Sequence, residues 1–258
     1  MKYLAILITL FFTTGCLDGL AERNLYPFET VNERHEKPKA ENVEGVVGDE
    51  AYFLETKNEK DIIIYFHGNG ESASDVYNYG LANILLGASH LIVVEYPGIK
   101  PLQDLKPSQD ALVKSGLAAM TYAKMNYPMK KITFFCRSLG NAVCLQVAKQ
   151  LPPDRLILVS PWTSFKDAAK ASPLGFLSGL VSDKFYEANK YDSLSASRHL
   201  LVKAIVIHGL EDKLVPAAQG KLLAETNNWT FVGLEGLGHN DIFNSSKTWD
   251  NLREYLSK

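Results

Sequence analysis

The stretch Ile132-Thr133-Phe134-Phe135-Cys136-Arg137-Ser138-Leu139-Gly140-Asn141 decides how this chain is interpreted. Its first four residues predict a buried strand, and residues 141–151 favour a helix. Ser138 therefore lies on a sharp turn between the two, where its hydroxyl is held clear of the backbone and the helix N-terminus stabilises negative charge. A serine that only caps the helix would have the same placement, so the stretch alone leaves both interpretations open.

The turn also constrains the neighbours of Ser138, because the residues two before and two after it approach each other closely. Gly140 meets this requirement. Cys136 stands where glycine is usual, but it is small enough to fit. This departure concerns the geometry of the turn and not the chemistry of the serine.

Two further stretches favour the catalytic interpretation. His208-Gly209-Leu210-Glu211-Asp212 ends a predicted strand, and Gly238-His239-Asn240-Asp241 follows the last predicted strand. A serine needs a base to remove its proton, and a histidine oriented by a carboxylate is such a base. We therefore predict Ser138 as nucleophile, His239 as base and Asp212 as the orienting acid, with Glu211 as a rival acid one residue out of place.

The rest of the chain alternates strand-like and helix-like runs. Strands are predicted at 51–56, 62–66, 91–94, 132–135, 156–159, 204–207 and 229–234, and helices at 72–86, 107–127, 141–151, 217–226 and 248–256. This alternation implies an α/β fold with a mostly parallel sheet, whose ligands bind at the carboxyl ends of the strands. Residues 165–202 contain no predicted strand and are interpreted as a short lid, with a surface embellishment as the alternative.

Composition limits the kind of partner. The chain has 258 residues, of which 46% are hydrophobic, and its 27 basic and 29 acidic residues give a net charge of −2. This balance provides no basic face for nucleic acid, so a small molecule is the expected ligand.

The N-terminus predicts export. A charged start at Lys2, an apolar run and small residues before Cys16 describe a signal peptide over 1–15, and Phe12 to Cys16 resembles a bacterial lipobox. Cys16 is then the lipidated residue, 16–42 a charged tether or a segment lying on the surface, and 43–258 the folded domain. We expect a cell-envelope lipoprotein facing the periplasm or the surface, with plain secretion and a buried N-terminal helix as the alternatives. Cys136 and Cys144 are predicted as free buried thiols, with a disulfide as the alternative.

Together these motifs resemble the α/β-hydrolase superfamily, in particular its BEM46-like and ABHD17-like branch. The resemblance covers residues 43–258 and also rests on the segments His67-Gly68-Asn69-Gly70, Glu95-Tyr96-Pro97-Gly98, Ser160-Pro161-Trp162-Thr163-Ser164 and Glu211-Asp212-Lys213-Leu214-Val215-Pro216. It implies a sheet of about eight strands flanked by helices. It also implies an oxyanion hole built from the backbone N–H groups of Asn69 and Leu139.

The remaining candidate residues have weaker signals. Tyr96, Trp162 and the pair Phe176–Leu177 are candidate walls of an acyl pocket, or plain core. His67 and His208 are interpreted as hydrogen-bonded core imidazoles, whereas surface positions suffice for the other three histidines outside the triad, His35, His90 and His199. The sequence has no zinc-type spacing and no Gly-rich phosphate loop, so neither a metal nor a cofactor is implied.

We therefore predict a serine hydrolase that cleaves carboxylic esters or thioesters of small to medium acyl groups through an acyl-enzyme on Ser138. The alternatives are a peptidase or acyltransferase with the same triad and a non-catalytic binding lipoprotein. The sequence does not indicate an oligomeric state.

Overall fold

One sheet organises the molecule. The computed structural model describes residues 17–38, 43–48, 51–78, 85, 89–172 and 175–257, and within them eight strands pair in the order β1-β2-β4-β3-β5-β6-β7-β8. The strands are β1 Glu44–Gly48, β2 Ala51–Thr56, β3 Ile62–Phe66, β4 His90–Glu95, β5 Ile132–Arg137, β6 Arg155–Val159, β7 Lys203–Gly209 and β8 Thr230–Leu234. β2 pairs antiparallel with both β1 and β4, and all other neighbours are parallel. The predicted mostly parallel sheet is confirmed.

Helices cover both faces of this sheet. They are α1 (residues 17–25), α2 Phe28–Glu33, α3 Ala73–Asn78, α4 Gln109–Asn126, α5 Leu139–Gln150, α6 Phe165–Ala171, α7 Asp183–Ala188, α8 Ser193–Ser197, α9 Ala217–Asn227 and α10 Ser246–Ser257, with 3-10 turns at Gly175–Leu180 and Ile242–Asn244. The predicted helix over 72–86 begins as α3, and its second half falls largely outside the described residues. None of the helices in the described part of the chain is long and apolar enough to span a bilayer.

The core is split by the sheet into two layers. Along β3, Ile62, Ile64 and Phe66 pack into one apolar cluster, whereas Ile63 and Tyr65 pack into the other. Alternate side chains of a strand point to opposite faces, and a parallel strand covered on both faces buries all of them. This explains the uninterrupted apolar run that marked β3 in the sequence.

The segment predicted as a tether is largely helical and packed. Residues 17–25 form α1 and Phe28–Glu33 form α2. Leu25, Phe28 and Val31 are 2%, 2% and 1% exposed and belong to the main core cluster. The prediction of a tether over 16–42 is therefore corrected for residues 17–33. The sequence signal was weak because these three apolar residues, spaced three apart, lie among many charged ones, yet their side chains are buried in the core.

A second correction concerns His90, which was assigned a surface position. His90 is fully buried at the start of β4, and its Nε2 lies 2.8 Å from Glu55 Oε1 on β2. The hydroxyls of Tyr127 and Tyr122 donate to the same carboxylate at 2.7 and 2.9 Å. Burial raises the pKa of Glu55, but the hydrogen bonds from His90, Tyr127 and Tyr122 more than offset it, so the pKa lies below its ordinary value.

We expect Glu55→Gln to lower the free energy of unfolding at neutral pH by about 2–4 kcal/mol, because it removes the charge of a fully buried carboxylate that accepts three hydrogen bonds. A depressed carboxyl pKa contributes stability above the unfolded-state pKa, and this is lost as pH falls through the folded-state pKa. Urea unfolding at pH 7 and at about pH 3 measures both effects. The difference between wild type and variant should shrink at the lower pH, and a constant difference would contradict the assignment.

Candidate active site

Ser138 lies on a strained turn between β5 and α5. Its backbone φ is 49°, a region that L-residues other than glycine rarely adopt. The N–H of Ser138 donates to the Val159 carbonyl on β6 at 3.0 Å, and the Asn141 side-chain amide donates to the carbonyls of Val159 and Ser138 at 2.7 and 3.1 Å. These bonds hold the turn against the neighbouring strand, so the serine is fixed in its strained conformation.

Gly140 explains why the turn can be so tight. A Cβ added there would lie 2.1 Å from the Phe66 carbonyl oxygen and 2.7 Å from the His67 carbonyl oxygen. Both contacts are to backbone and cannot yield easily. The predicted requirement for a small residue two positions after the serine is therefore confirmed by the close approach of β3.

The residue two positions before the serine takes part in a cross-link. The sequence favoured free thiols at Cys136 and Cys144, but the structure joins them in a disulfide. Because the turn folds α5 back along β5, their Cα atoms lie 6.5 Å apart, inside the range of about 4.4–6.8 Å for bridged cysteines. The bond ties β5 to α5 on both sides of Ser138, in place of the usual glycine.

The three predicted triad residues meet at the carboxyl ends of β5, β7 and β8. His239 Nε2 lies 2.9 Å from Ser138 Oγ, and His239 Nδ1 lies 2.7 Å from Asp212 Oδ2. These distances fit the tautomer in which Nδ1–H donates to the carboxylate and Nε2 accepts the serine hydroxyl. Glu211 is exposed and takes no part in this chain of contacts.

The carboxylate of Asp212 is held ionised by its surroundings. Its Oδ1 accepts the backbone N–H groups of Leu214 and Val215 at 2.9 and 2.8 Å. Burial raises its pKa, but hydrogen bonds from His208 and His239, the electrostatic interaction with His239 and the hydrogen bond from the Val215 N–H together hold the pKa well below its ordinary value. Asp212 therefore remains a hydrogen-bond acceptor over the whole neutral range.

His208 supports the same carboxylate from inside the core, as its interpretation as a core imidazole predicts. It is fully buried, and its Nε2 lies 2.9 Å from the Val215 carbonyl and 3.3 Å from Asp212 Oδ2. A Cβ at Gly220 would lie 2.4 Å from its Nδ1, so α9 closes over the ring. His208 thus fixes the loop that carries the acid.

The loop after β3 runs beside the nucleophile. A Cβ added at Gly68 would lie 3.6 Å from Ser138 Cβ. The Gly68 N–H donates to Glu71 Oε2 at 3.1 Å, and the Asn69 side-chain amide turns away to the carbonyls of Asn24 and Leu25 at 2.9 and 3.4 Å. Leu139 begins α5, so its N–H has no partner within that helix.

Arg137 and Glu71 brace this region, and the sequence analysis overlooked both. Their side chains form an ion pair between the turn before Ser138 and the loop after β3. Arg137 Nη2 also lies 3.4 Å from Asn240 Oδ1, beside His239. In the sequence, each of these two residues is a single charged side chain next to a motif, and this does not by itself indicate that the two form an ion pair.

A cavity of about 920 Å³ opens above Ser138 and His239. Its apolar walls come from α1, from the segment after β6 together with the lid, and from the loop after Asp212; these wall residues are Leu17, Leu20, Ala21, Leu25, Trp162, Phe165, Ala168, Ala169, Leu177, Val181, Leu214 and Val215. The volume is near the upper end of the range of about 300–1,000 Å³ that is usual for ligand sites. The predicted lid therefore borders the site, and α1 is a wall that the sequence analysis missed.

Only some of the predicted pocket residues line the cavity. Trp162 and Leu177 line the cavity, whereas Phe176 points outward and is 77% exposed. The prediction of Tyr96 as a pocket wall is wrong. Tyr96 is fully buried beneath the loop after β3, where its ring lies against His67 and its hydroxyl donates to the His67 carbonyl at 3.1 Å.

His67 has the buried, hydrogen-bonded position predicted for it, with Nε2 at 3.1 Å from Glu95 Oε1. Among the residues that the structure describes, no group of three His, Cys, Asp or Glu side chains is placed to hold a metal ion. The predicted lipidation site, Cys16, and the signal peptide over 1–15 lie outside the described residues.

Solved structures share this architecture. An esterase from Pyrococcus furiosus superposes with a TM-score of 0.66 over 83% of this chain and 91% of its own, at 16% identity. A meta-cleavage product hydrolase superposes with a TM-score of 0.60 over 83% and 96%, at 17% identity. The chain has the α/β-hydrolase fold. The serine, acid and histidine follow separate strands, in the chain order that is typical of triads on this fold.

The curated relatives that this chain matches are longer proteins. Human protein ABHD12B is 27% identical over 224 residues, which are 76% of this chain and 60% of that protein. The lysophosphatidylserine lipase ABHD12 of Danio rerio is 26% identical over 182 residues, which are 63% of this chain and 46% of that protein. The chain thus spans about half the length of these relatives. No family model matches it.

Proposed function

We propose that this protein is a member of the α/β-hydrolase superfamily and a serine hydrolase that cleaves carboxylic esters or thioesters, with Ser138 as nucleophile, His239 as base and Asp212 as orienting acid. The observation that carries the proposal is the continuous contact from Ser138 Oγ through His239 to Asp212 at 2.9 and 2.7 Å, at the floor of an apolar cavity. An ester-hydrolysing relative, a lysophosphatidylserine lipase, supports the reaction class.

The first half-reaction forms the acyl-enzyme. Ser138 Oγ attacks the carbonyl carbon while His239 Nε2 takes the hydroxyl proton. The C–O or C–S bond then breaks, and the imidazolium returns that proton to the departing alcohol or thiol. Asp212 keeps the imidazole in the required tautomer and stabilises its positive charge.

The second half-reaction releases the acid. A water molecule gives a proton to His239 and attacks the acyl carbon, and Ser138 leaves with the proton returned. We propose the backbone N–H groups of Leu139 and Asn69 as the oxyanion donors, each worth about 3–4 kcal/mol in the transition state. The Gly68 N–H is already bonded to Glu71, which favours Asn69 as the donor from this loop.

A substrate panel tests the proposal. Purified protein is assayed with p-nitrophenyl esters, acyl thioesters and p-nitroanilides, in the presence and absence of alcohol and amine acceptors. Hydrolysis of esters or thioesters to the free acid is the expected result. Turnover of anilides alone would identify a peptidase, acyl transfer to an acceptor would identify an acyltransferase, and no turnover would favour a binding protein.

We also propose that the chain is an exported lipoprotein, anchored through Cys16 after removal of residues 1–15, and that it belongs to the BEM46-like and ABHD17-like branch. The disulfide between Cys136 and Cys144 supports export, because disulfides persist in oxidising compartments. In the sequence, Cys16 directly precedes Leu17, the first residue of α1, which lines the cavity.

Cys16→Ser tests the anchor. In a bacterial host, the wild type should incorporate labelled palmitate and partition into the detergent phase of Triton X-114, because acyl chains bury many methylene groups. The variant should do neither. Incorporation of palmitate by the variant at the wild-type level would contradict the assignment.

A further inference from the structure

Helix α1 is part of the site, although the catalytic mechanism makes no use of it. Its cavity-lining residues are Leu17, Leu20, Ala21, Asn24 and Leu25, which recur three or four positions apart. This spacing places them on one face of a helix. The charged residues Glu22 and Arg23 do not belong to that face, so α1 presents an apolar stripe to the space above Ser138.

The lid contributes a second set of apolar residues to the cavity. Ala168 and Ala169 on α6, Leu177 on the following 3-10 turn, and Val181 line the cavity together with α1. Leu20 and Leu214 line it as well and are 42% and 46% exposed, so part of the apolar lining is open to solvent. The result is a cavity that contains Ser138 and has apolar side chains of α1, the lid and the loop after Asp212 in its walls, with polar side chains such as Arg34, Glu71 and Arg137 elsewhere in the lining.

Side-chain hydrogen bonds tie both ends of α1. Near its start, Asp18 accepts from the Ser182 N–H at 2.8 Å and from the Ser182 hydroxyl at 2.6 Å, which joins it to the N-terminus of α7 in the lid. At its end, the Asn24 and Leu25 carbonyls accept the Asn69 amide. The helix is therefore positioned against both the lid and the loop that carries the proposed oxyanion donor.

We propose that α1 is the specificity-determining wall of an acyl-chain subsite, and that the preferred substrates carry a medium to long unbranched acyl chain lying between α1 and the lid. The inference rests on the proposed function, because the acyl carbonyl must be at Ser138. It shifts the expected substrate class from the small to medium acyl groups predicted from the sequence to longer ones. The reason is the size and apolar lining of the cavity.

Ala21→Trp is the decisive variant, because it adds a large ring to the cavity-facing stripe. Arg23→Trp is the matched control: it introduces the same side chain on the same helix, but Arg23 is exposed and bonds back to the Gly19 carbonyl. Ala21→Leu gives a smaller obstruction in case the larger one prevents folding. Thermal unfolding establishes that each variant is folded.

Two measurements distinguish an effect on acyl-chain binding from an effect on the catalytic step. With p-nitrophenyl esters, the wild type should prefer decanoate to acetate, and Ala21→Trp should lower kcat/KM for decanoate at least about tenfold while acetate changes less than about twofold. With a fluorescent fatty acid and the Ser138→Ala background, Ala21→Trp should weaken binding by a similar factor. Arg23→Trp should leave both unchanged.

An unchanged acyl-length profile and unchanged fatty-acid binding in Ala21→Trp would overturn the inference, as would equal losses in Arg23→Trp. Failure of the proposed function would have a different signature. In that case no ester is hydrolysed by the wild type, while the binding measurement still decides whether α1 walls an acyl-chain site.

Discussion

Ser138→Ala is expected to reduce ester turnover by at least about 10⁴-fold while leaving the protein folded. The hydroxyl oxygen forms the bond to the acyl group in the acyl-enzyme, so its removal eliminates the reaction path rather than weakening one interaction. The backbone bonds that fix the turn involve the Ser138 N–H and carbonyl, which alanine keeps. Initial rates on the preferred ester, with circular dichroism as the folding check, measure both parts.

Ser160→Ala is the matched control for this variant. Ser160 also follows a central strand, β6, has a positive φ of 51°, and is 1% exposed. Its hydroxyl makes no hydrogen bond in the structure, so its loss should leave turnover near the wild-type level. Substantial residual activity in Ser138→Ala, beyond trace contamination, would refute the nucleophile assignment.

Asp212→Asn is expected to lower kcat by about 10³–10⁴-fold with little loss of structure. The amide oxygen can still accept from the Leu214 and Val215 N–H groups, but the amide nitrogen then faces His239 Nδ1. An amide N–H there favours the tautomer with its proton on Nε2, which cannot accept the Ser138 proton. The loss therefore comes from a reversed hydrogen bond between position 212 and His239, and it remains when the enzyme is saturated with substrate.

Glu211→Gln is the control, because Glu211 is the neighbouring acid and is exposed. It should retain wild-type kcat and KM on the same ester. A larger loss in Glu211→Gln than in Asp212→Asn would show that the acid has been assigned to the wrong carboxylate. Equal, small effects in both would show that the histidine needs no orienting acid.

The fold could be predicted because its signals are local. Apolar runs such as Ile62 to Phe66 and Leu156 to Val159 mark strands buried on both faces, and these are central strands of the sheet. β1 was missed, since Glu44–Gly48 lies at the edge of the sheet and has little apolar pattern. Edge strands bury less surface, so the sequence has less reason to show them.

The triad could be predicted because each member follows a strand, and parallel strands end at one edge. The pocket could not, because its walls depend on contacts between distant segments. α1 meets the loop after β3 through Asn69, some 45 residues further along the chain. Tyr96 illustrates the converse error: an aromatic beside a motif was assigned to the cavity, although its hydroxyl is satisfied by the His67 carbonyl in the core.

The disulfide depends on how the chain packs, and the spacing of the two cysteines in the sequence does not determine it. Cys136 and Cys144 are eight residues apart, and their distance depends on how sharply the chain turns at Ser138. The strained φ of Ser138, held by Asn141 and Val159, is what brings α5 back along β5. No propensity in the sequence encodes that angle.

Covalent labelling shows whether Ser138 is an activated nucleophile. The protein is treated with a fluorophosphonate, and the adduct is located by peptide mass spectrometry, with Ser138→Ala as the control. We expect one adduct on the peptide that contains Ser138 and none in the variant. Absence of an adduct on Ser138, or the same labelling in the variant, would contradict this assignment.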